Sequence, residues 1–199
     1  MQRRYVMSMA LPEEKQTCRY TYADYCTWGD DERWELIEGV PYAMSPAPNR
    51  RHQEISRELS YQFTAFLKGK PCEVFAAPFD VRLNAEKGDN TVVQPDLLVV
   101  CDKSKLDDNG CKGAPDLIIE ILSPSTSSRD KLLKFNKYLL AGIREYWIVD
   151  PVDKIVSVNT LENGKYIVNV YGDADCVPVG VLSGCLINMR EVFYDPMEA

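Results

Sequence analysis

Apolar residues recur along this chain in two distinct rhythms. Between His52 and Leu67 they fall at helical spacing, with Ile55, Leu59, Phe63 and Phe66 on one stripe, which predicts an amphipathic helix lying on a core. From Cys72 onward the rhythm changes. CEVFAAPFDVRL (72–83), VVQPDLLVVC (92–101) and DLIIEIL (116–122) are short, nearly continuous apolar runs, the pattern of strands buried on both faces. Residues 85–90 read as a polar turn, and the polar stretch 102–113 carries the turn signal Asn109-Gly110. A second helix is expected from about Ser128 to Ala141, closed by Gly142, and EYWIVD (145–150) reads as a fourth strand. Ile155 to Val158 and Lys165 to Tyr171 form the two arms of a closing hairpin. Ahead of the long helix, Arg33 to Met44 reads as a hairpin turning at Gly39, and Thr21 is placed to cap a short helix over 21–26.

The order is helix, three strands, helix, strand, then peripheral strands. It implies an α/β fold in one domain, a mixed sheet sandwiched by helices, over residues 20–199, with residues 1–19 as an N-terminal tail. A chain of 199 residues is long enough for one sizeable core. No apolar run approaches the roughly 20 residues of a membrane helix. Glu13 and Glu14 interrupt the N-terminus before a signal-peptide core develops, so a cytoplasmic protein with no membrane partner is expected. The cysteines at 18, 26, 72, 101, 111, 176 and 185 are odd in number and form no Cys-x-x-Cys, so free thiols in a reducing compartment are expected rather than a zinc or disulfide framework. His52 is the sole histidine, which argues against a zinc site and against a Ser-His-Asp triad. A net charge of -7 argues against a broad, non-specific DNA surface but leaves room for a local basic rim. Arg50, Arg51, Arg129, Lys131, Lys134 and Lys137 are the candidates for such a rim.

Two acids stand where acids are costly. Pro95-Asp96 opens one buried strand, and Glu120 lies inside the next, framed as Leu-Ile-Ile-Glu-Ile-Leu. An ionised carboxylate in such a place needs compensation, and two on adjacent strands repel each other. A divalent cation relieves both costs, and hard oxygen ligands suit Mg²⁺ or Mn²⁺. Asp116 also follows a proline, but four residues of strand separate it from Glu120 by roughly 13 Å, too far for one metal ion. Asp96 is therefore the preferred partner of Glu120. The competing reading makes either acid an exposed strand end or the partner of a Lys or Arg; the apolar frame around Glu120 favours function.

Pro95-Asp96 with Glu120 on the following strand resembles the PD-(D/E)XK nuclease superfamily. WELIEG (34–39), MSPAPNRRHQ (44–53), APFDVRL (77–83), VVQPDLLVVC (92–101), GAPDLIIEILSPST (113–126), DKLLK (130–134) and GIREYWIVDP (142–151) are similar to segments of the Uma-two family of restriction-endonuclease-like proteins, a likeness that runs from Tyr20 to Phe193. The resemblance implies a restriction-endonuclease-like core with peripheral hairpins. It also implies an ancestral metal-nuclease site in which Asp96, Glu120 and the Ile121 carbonyl hold Mg²⁺ (or Mn²⁺). The lysine usual two residues after the glutamate is replaced here by Leu122. The resemblance transfers that role to Lys134 on the following helix, with Lys137 as the fallback. The plainer alternative for Lys134 is an i,i+4 pair with Asp130, which could instead orient it. His52 is placed to cap or pack, or to support the site or a substrate phosphate. Glu35 is a candidate further acid, and Asp80 and Arg82 alternate on one strand face, lining the groove or pairing with each other.

The expected function is a Mg²⁺-dependent endonuclease hydrolysing phosphodiester bonds of nucleic acid, DNA first. Leu122 and the acidic charge support an alternative, a catalytically weak nuclease-fold protein that binds nucleic acid or a protein. A metal-dependent hydrolase of some other phosphate ester is the third reading. Two-fold dimers being the commonest oligomers, a homodimer is the default expectation.

Overall fold

Two prolines divide the strand-forming half of the chain between two sheets. The structure is a computed structural model. It describes residues 19–29, 33–44, 47–123 and 128–197, the side chains of 128–131 excepted; the expected N-terminal tail thus lies almost wholly outside the described residues. In chain order the elements are α1 (Tyr22–Tyr25), β1 (Trp34–Ile37), β2 (Val40–Ala43), α2 (Arg50–Leu67), β3 (Glu73–Ala76), β4 (Val81–Arg82), β5 (Val92–Val93), β6 (Leu97–Val100), β7 (Leu106–Asp107) and β8 (Gly110–Lys112). Then follow β9 (Leu117–Ile121), α3 (Ser128–Ala141), β10 (Glu145–Asp150), β11 (Ile155–Glu162), β12 (Lys165–Gly172), β13 (Cys176–Pro178), β14 (Leu186–Asn188) and α4 (Met189–Val192).

The central sheet has the order β12-β11-β10-β9-β6-β3, and a second sheet the order β2-β1-β5-β4-β8-β7. The central sheet is mixed: β9 and β10 run parallel and their neighbours pair antiparallel. The expected central mixed sheet is present, but it does not take up all the apolar runs: they are shared with the second six-stranded sheet, and β13 and β14 pair as a small third one. The run 72–83 is not one strand. It leaves the central sheet after β3, passes the cis Ala77-Pro78 bond and joins the second sheet as β4. The run 92–101 crosses the other way, from β5 to β6 around Pro95. Proline has no N–H to carry a ladder through, so each run breaks where its proline stands. The stretch 102–113, read as a turn, also carries the small hairpin β7–β8.

Each face of the central sheet is covered. On one face Leu97, Val99, Leu117, Ile119 and Trp147 meet Ile55, Leu59 and Phe63 of α2, which bears out the predicted stripe. Strands β13 and β14 with α4, too short for a readable period, close this layer with Val177, Ile187, Met189 and Val192. On the other face Leu98, Val100, Ile118 and Tyr146 pack with Tyr138 of α3 and with Val81 and Val93 of the second sheet. Local signals also hold. Thr21 caps α1 and exchanges bonds with Asp24. Gly39 turns the β1–β2 hairpin at φ +78°, where a Cβ would stand 2.9 Å from that of Arg19.

One expectation about cysteine is overturned. Cys72 and Cys101 form a disulfide. They flank the paired Glu73 and Val100, so the β3–β6 register sets them face to face although 29 residues separate them in sequence. Cys26, Cys111, Cys176 and Cys185 are free. The disulfide removes the reason for assigning a reducing compartment. Among the described residues no helix is long and apolar enough to cross a membrane.

Leu59 sits at the centre of the α2 contact with no exposure, while Tyr61 on the opposite side is 67% exposed. Leu59→Ala is expected to lower unfolding free energy by about 2–5 kcal/mol. Tyr61→Ala should change it by less than about 0.5 kcal/mol. Urea denaturation of both variants checks the assignment of α2's buried face.

Candidate active site

The register of β6 on β9 brings two acids together. Leu97 pairs with Ile119 and Leu98 with Ile118, antiparallel. Asp96 lies just ahead of β6, where this ladder ends, and lines the same cleft as Glu120. Asp96 Oδ2 accepts the Ile121 N–H at 2.7 Å, which fixes the carboxylate across the end of β9. Asp116 lies at the other end of β9, where it accepts Arg144 at 2.9 Å and the Cys101 N–H at 2.8 Å. It is a structural ion pair, distant from the site.

Lys134 projects from α3 between two carboxylates. Its Nζ lies 3.0 Å from Glu120 Oε1 and 2.8 Å from Glu35 Oε1. Tyr138, one turn further along α3, donates its hydroxyl to the same Glu120 oxygen at 2.6 Å. Glu35, on β1 of the second sheet, also accepts the Gln94 N–H at 2.9 Å. The side chains of Lys134, Glu35 and Glu120 are only 17%, 9% and 16% exposed, so these charges act on one another with little screening. Burial pushes the Glu120 carboxyl up to about 7, with Lys134 pulling it down and Asp96 and Glu35 pushing it up. Burial opposes the charge on Lys134, but Glu120 and Glu35 outweigh it and hold the ammonium above its ordinary value. Lys134 is therefore a fixed positive charge.

His52 enters from the first turn of α2, whose N-terminus Asn49 caps by accepting the His52 N–H at 2.9 Å. The imidazole Nε2 lies 3.2 Å from Asp96 Oδ2. Burial works against a charged imidazole, yet Asp96 and the Ile121 carbonyl, which also accepts from the ring, raise its pKa. Its Nδ1 is buried without a hydrogen-bond partner. Glu35, His52, Asp96, Glu120 and Lys134 line a cleft of about 640 Å³, whose other walls include Arg33, Tyr42, Met44, Pro78 and Leu122, while Tyr138 stands buried behind Glu120.

The donor set suits a hard cation that keeps some of its water. Two carboxylates and the Ile121 carbonyl converge at the strand ends, and Mg²⁺ is commonly held by one or two carboxylates plus water and substrate oxygens. Among the described residues no group of three or more His, Cys, Asp and Glu side chains is close enough to cage a metal. The chemistry thus fits Mg²⁺ or Mn²⁺ and not a closed, all-protein site of the structural zinc kind.

Other sequence candidates fall elsewhere. Leu122 supplies only its N–H, to the Val149 carbonyl of β10. Lys137 pairs with Glu38 and does not reach the carboxylates of the site. Asp80 and Arg82 do not pair with each other: Asp80 accepts Tyr25 at 3.2 Å and Gln94 at 2.8 Å, and Arg82 binds Asp89. The side chains of Asp130, Arg129 and Lys131 lie outside the described residues. Arg50 is engaged by Glu54 and Asp195, and Arg51 by the carbonyls of Phe193 and Tyr194, so the expected rim is largely occupied by the protein itself. Sequence reasoning missed Tyr138 and Gln94. Both carried a signal: Tyr138 is four residues beyond Lys134 on one helix face, and Gln94 precedes Asp96 by two.

Comparison with known proteins bears on the family and the fold. The family model Uma2, described as "Putative restriction endonuclease", matches residues 20–187. Two uncharacterized proteins of Synechocystis sp., slr1290 and sll1609, are 32% and 29% identical over 117 and 124 residues. The matches span 58% and 60% of this chain and 60% and 67% of those relatives. A crystal structure from Anabaena variabilis, titled as a putative nuclease belonging to DUF820, superposes with a TM-score of 0.70. It is 23% identical and the alignment covers 87% of this chain and 97% of that one, a likeness of fold.

Lys134→Met should be costly in a pH-dependent way. Without the ammonium, Glu120 faces Glu35 uncompensated and its pKa, already raised above an unfolded glutamate's, rises further. The folded state then binds the proton more tightly than the unfolded chain, so stability is retained at low pH and lost as pH rises through that raised value. A loss of about 3 kcal/mol is expected at pH 8 and a clearly smaller one at pH 5. Urea titrations at both pH values decide it; an equal loss at both would show that Lys134 does not offset carboxylate repulsion.

Proposed function

The chain belongs to the Uma2 family, and we propose that it is a nuclease, hydrolysing phosphodiester bonds of nucleic acid with a divalent cation at Asp96 and Glu120. The observation that carries this reading is the convergence of three elements on one point. Strand β6 brings Asp96, β9 brings Glu120, and α3 brings Lys134 to the Glu120 carboxylate at 3.0 Å.

Asp96, Glu120 and the Ile121 carbonyl would hold Mg²⁺ or Mn²⁺. Bound there, such an ion supplies Lewis acidity, lowering the pKa of a water and polarising a phosphate oxygen. The chain's own residues arrange the rest. Lys134, kept protonated by its two carboxylates, serves as a positive charge for the developing phosphorane and not as a base. It takes the part left open by Leu122. Glu35 keeps the lysine in place from the second sheet, and Tyr138 fixes the orientation of Glu120. His52 holds the Asp96 carboxylate from the α2 side. The apolar wall of Tyr42, Met44 and Pro78 gives a nucleotide a face to rest on.

A second reading has an observation of its own. The basic residues around the cleft are mostly paired within the protein, and the net charge is -7. A catalytically weak protein that binds nucleic acid or a protein partner would be consistent with this. Calorimetry separates the two: the nuclease binds Mn²⁺ and cleaves, whereas the binding module holds DNA without either property.

Purified protein incubated with plasmid and with single-stranded DNA in Mg²⁺ or Mn²⁺ should cleave at least one of them, and EDTA should stop it. Asp96→Asn, Glu120→Gln and Lys134→Met should each lower the rate by about a hundredfold or more, the loss of several kcal/mol of transition-state stabilisation. Equal activity of wild type and Asp96→Asn would sink the assignment. A matching series on RNA settles which nucleic acid is preferred.

A further inference from the structure

One cation of the cleft is left unneutralised. Among the described residues the basic side chains that line the cleft are Arg33, His52 and Lys134. Lys134 is taken by Glu35 and Glu120, and His52 stands against Asp96. Arg33 meets no carboxylate among the described residues. Its Nε and Nη2 both donate to one neutral acceptor, the side-chain oxygen of Gln94, at 3.2 and 2.5 Å. In a chain of net charge -7, such a cation at the wall of an acid-bearing cleft is a point of attraction for anions.

The backbone explains where this side chain stands. The Met44 N–H bonds the Arg33 carbonyl, which continues the β1–β2 ladder one rung beyond Trp34 and Ala43. Side chains alternate along a strand, so Arg33, Glu35 and Ile37 share a face, and all three line the cleft. Arg33 is thus two residues, about 7 Å of strand, from the acid that holds Lys134.

Gln94 sets the direction of the guanidinium. Arginine carries donors only, so the amide oxygen of Gln94 must face it and the amide nitrogen must face away. That nitrogen donates to Asp80 Oδ1 at 2.8 Å and to the Tyr25 hydroxyl at 3.1 Å. The Gln94 backbone N–H is held in turn by Glu35 Oε1 at 2.9 Å. A carboxylate at this position would cancel the charge it oriented. An amide oxygen orients the guanidinium and leaves its charge whole. The N–H groups on Nη1 and the second one on Nη2 remain unspent, and that edge matches two oxygens of a phosphate.

We propose that Arg33 is the phosphate grip of this cleft. Its unspent edge binds a phosphate of the nucleic-acid strand next to the one at Asp96 and Glu120, and Gln94, Asp80 and Tyr25 are the positioning residues that aim it. The inference rests on the nucleic-acid substrate of the proposed function. It gives the strand a course, from the acids past Glu35 to the open end of the β1–β2 hairpin. It also divides the labour of the two cations. Lys134, saturated by carboxylates, acts only where charge develops, whereas Arg33 binds charge that the substrate carries throughout. Recognition here is of the backbone and carries no base preference.

The test separates binding from cutting. Binding of a fluorescein-labelled single-stranded oligonucleotide to the full chain is followed by anisotropy in EDTA, across a series of salt concentrations. Arg33→Gln should raise the dissociation constant about tenfold at low salt and flatten the slope of log K against log salt by about 0.7, the loss of one phosphate contact. Arg33→Lys keeps the charge and should bind within about threefold of wild type, with the slope unchanged. Gln94→Met leaves the charge but not its aim, so about threefold weaker binding at an unchanged slope is expected. Arg33 is exposed, and the melting temperature of its variants should match wild type. Equal affinity and slope for wild type and Arg33→Gln overturns the proposal. So does a wild type that binds no oligonucleotide, or an Arg33→Gln variant that binds more weakly with its slope intact. Cleavage in Mg²⁺ is scored apart. A protein that cuts but shows no change of slope with Arg33→Gln keeps the nuclease reading and loses this one; a protein that never cuts but loses slope does the reverse.

Discussion

The meeting of Asp96 and Glu120 where the β6–β9 ladder ends is the constraint on which the rest of the structure turns. Two carboxylates held side by side at the covered end of a sheet are unfavourable unless other groups come to them. α3 sends Lys134 and Tyr138 and α2 sends His52, while the second sheet adds a third acid, Glu35, which holds Lys134 in place. The second sheet, the helix and the central sheet therefore share a polar seam as well as an apolar core. The clusters of buried Leu, Val and Ile explain why these layers stack. The charges explain why they stack with this particular end aligned.

The apolar rhythm made α2, α3 and the core strands legible, because burial of one stripe or both strand faces leaves a mark on composition. Asp96 and Glu120 were legible for the converse reason, each being a charge set inside an apolar run. Strand direction and sheet membership were not. Pro78 and Pro95 carry the break, but a proline says only that a ladder stops, not which sheet takes up the chain next. Cys72 and Cys101 were misread for a similar cause: what joins them is a cross-strand register, and nothing at either cysteine announces it. β13 and β14 were too short to show alternation at all.

Within the site the legible part ended where tertiary packing began. Lys134 needed the family resemblance, because spacing alone allowed an equally good pair with Asp130. Lys137 had the same credentials on paper, but three residues further along the helix it meets Glu38. Tyr138 and Gln94 lay at helical and strand spacing from Lys134 and Asp96, and that spacing would have found them had polar neighbours been sought along with acids. Asp80 and Arg82 looked like a pair on one strand face. The bend after Pro78 leaves Asp80 just ahead of the two-residue strand that holds Arg82, and Tyr25, Gln94 and Asp89 are their partners there.

The two crossing runs have a consequence for how the molecule can come apart. Residues 72–83 and 92–101 each contribute a strand to both sheets, so neither sheet is a separable piece of chain. Peeling the second sheet away would pull on β3 and β6, which pair with each other inside the central one. Partial opening at the seam is thereby tied to loss of the whole structure. A site built there inherits the full cooperativity of the fold: its groups stay in register until the entire molecule melts, and the amides around Asp96 and Glu120 should exchange with solvent only as fast as the protein unfolds.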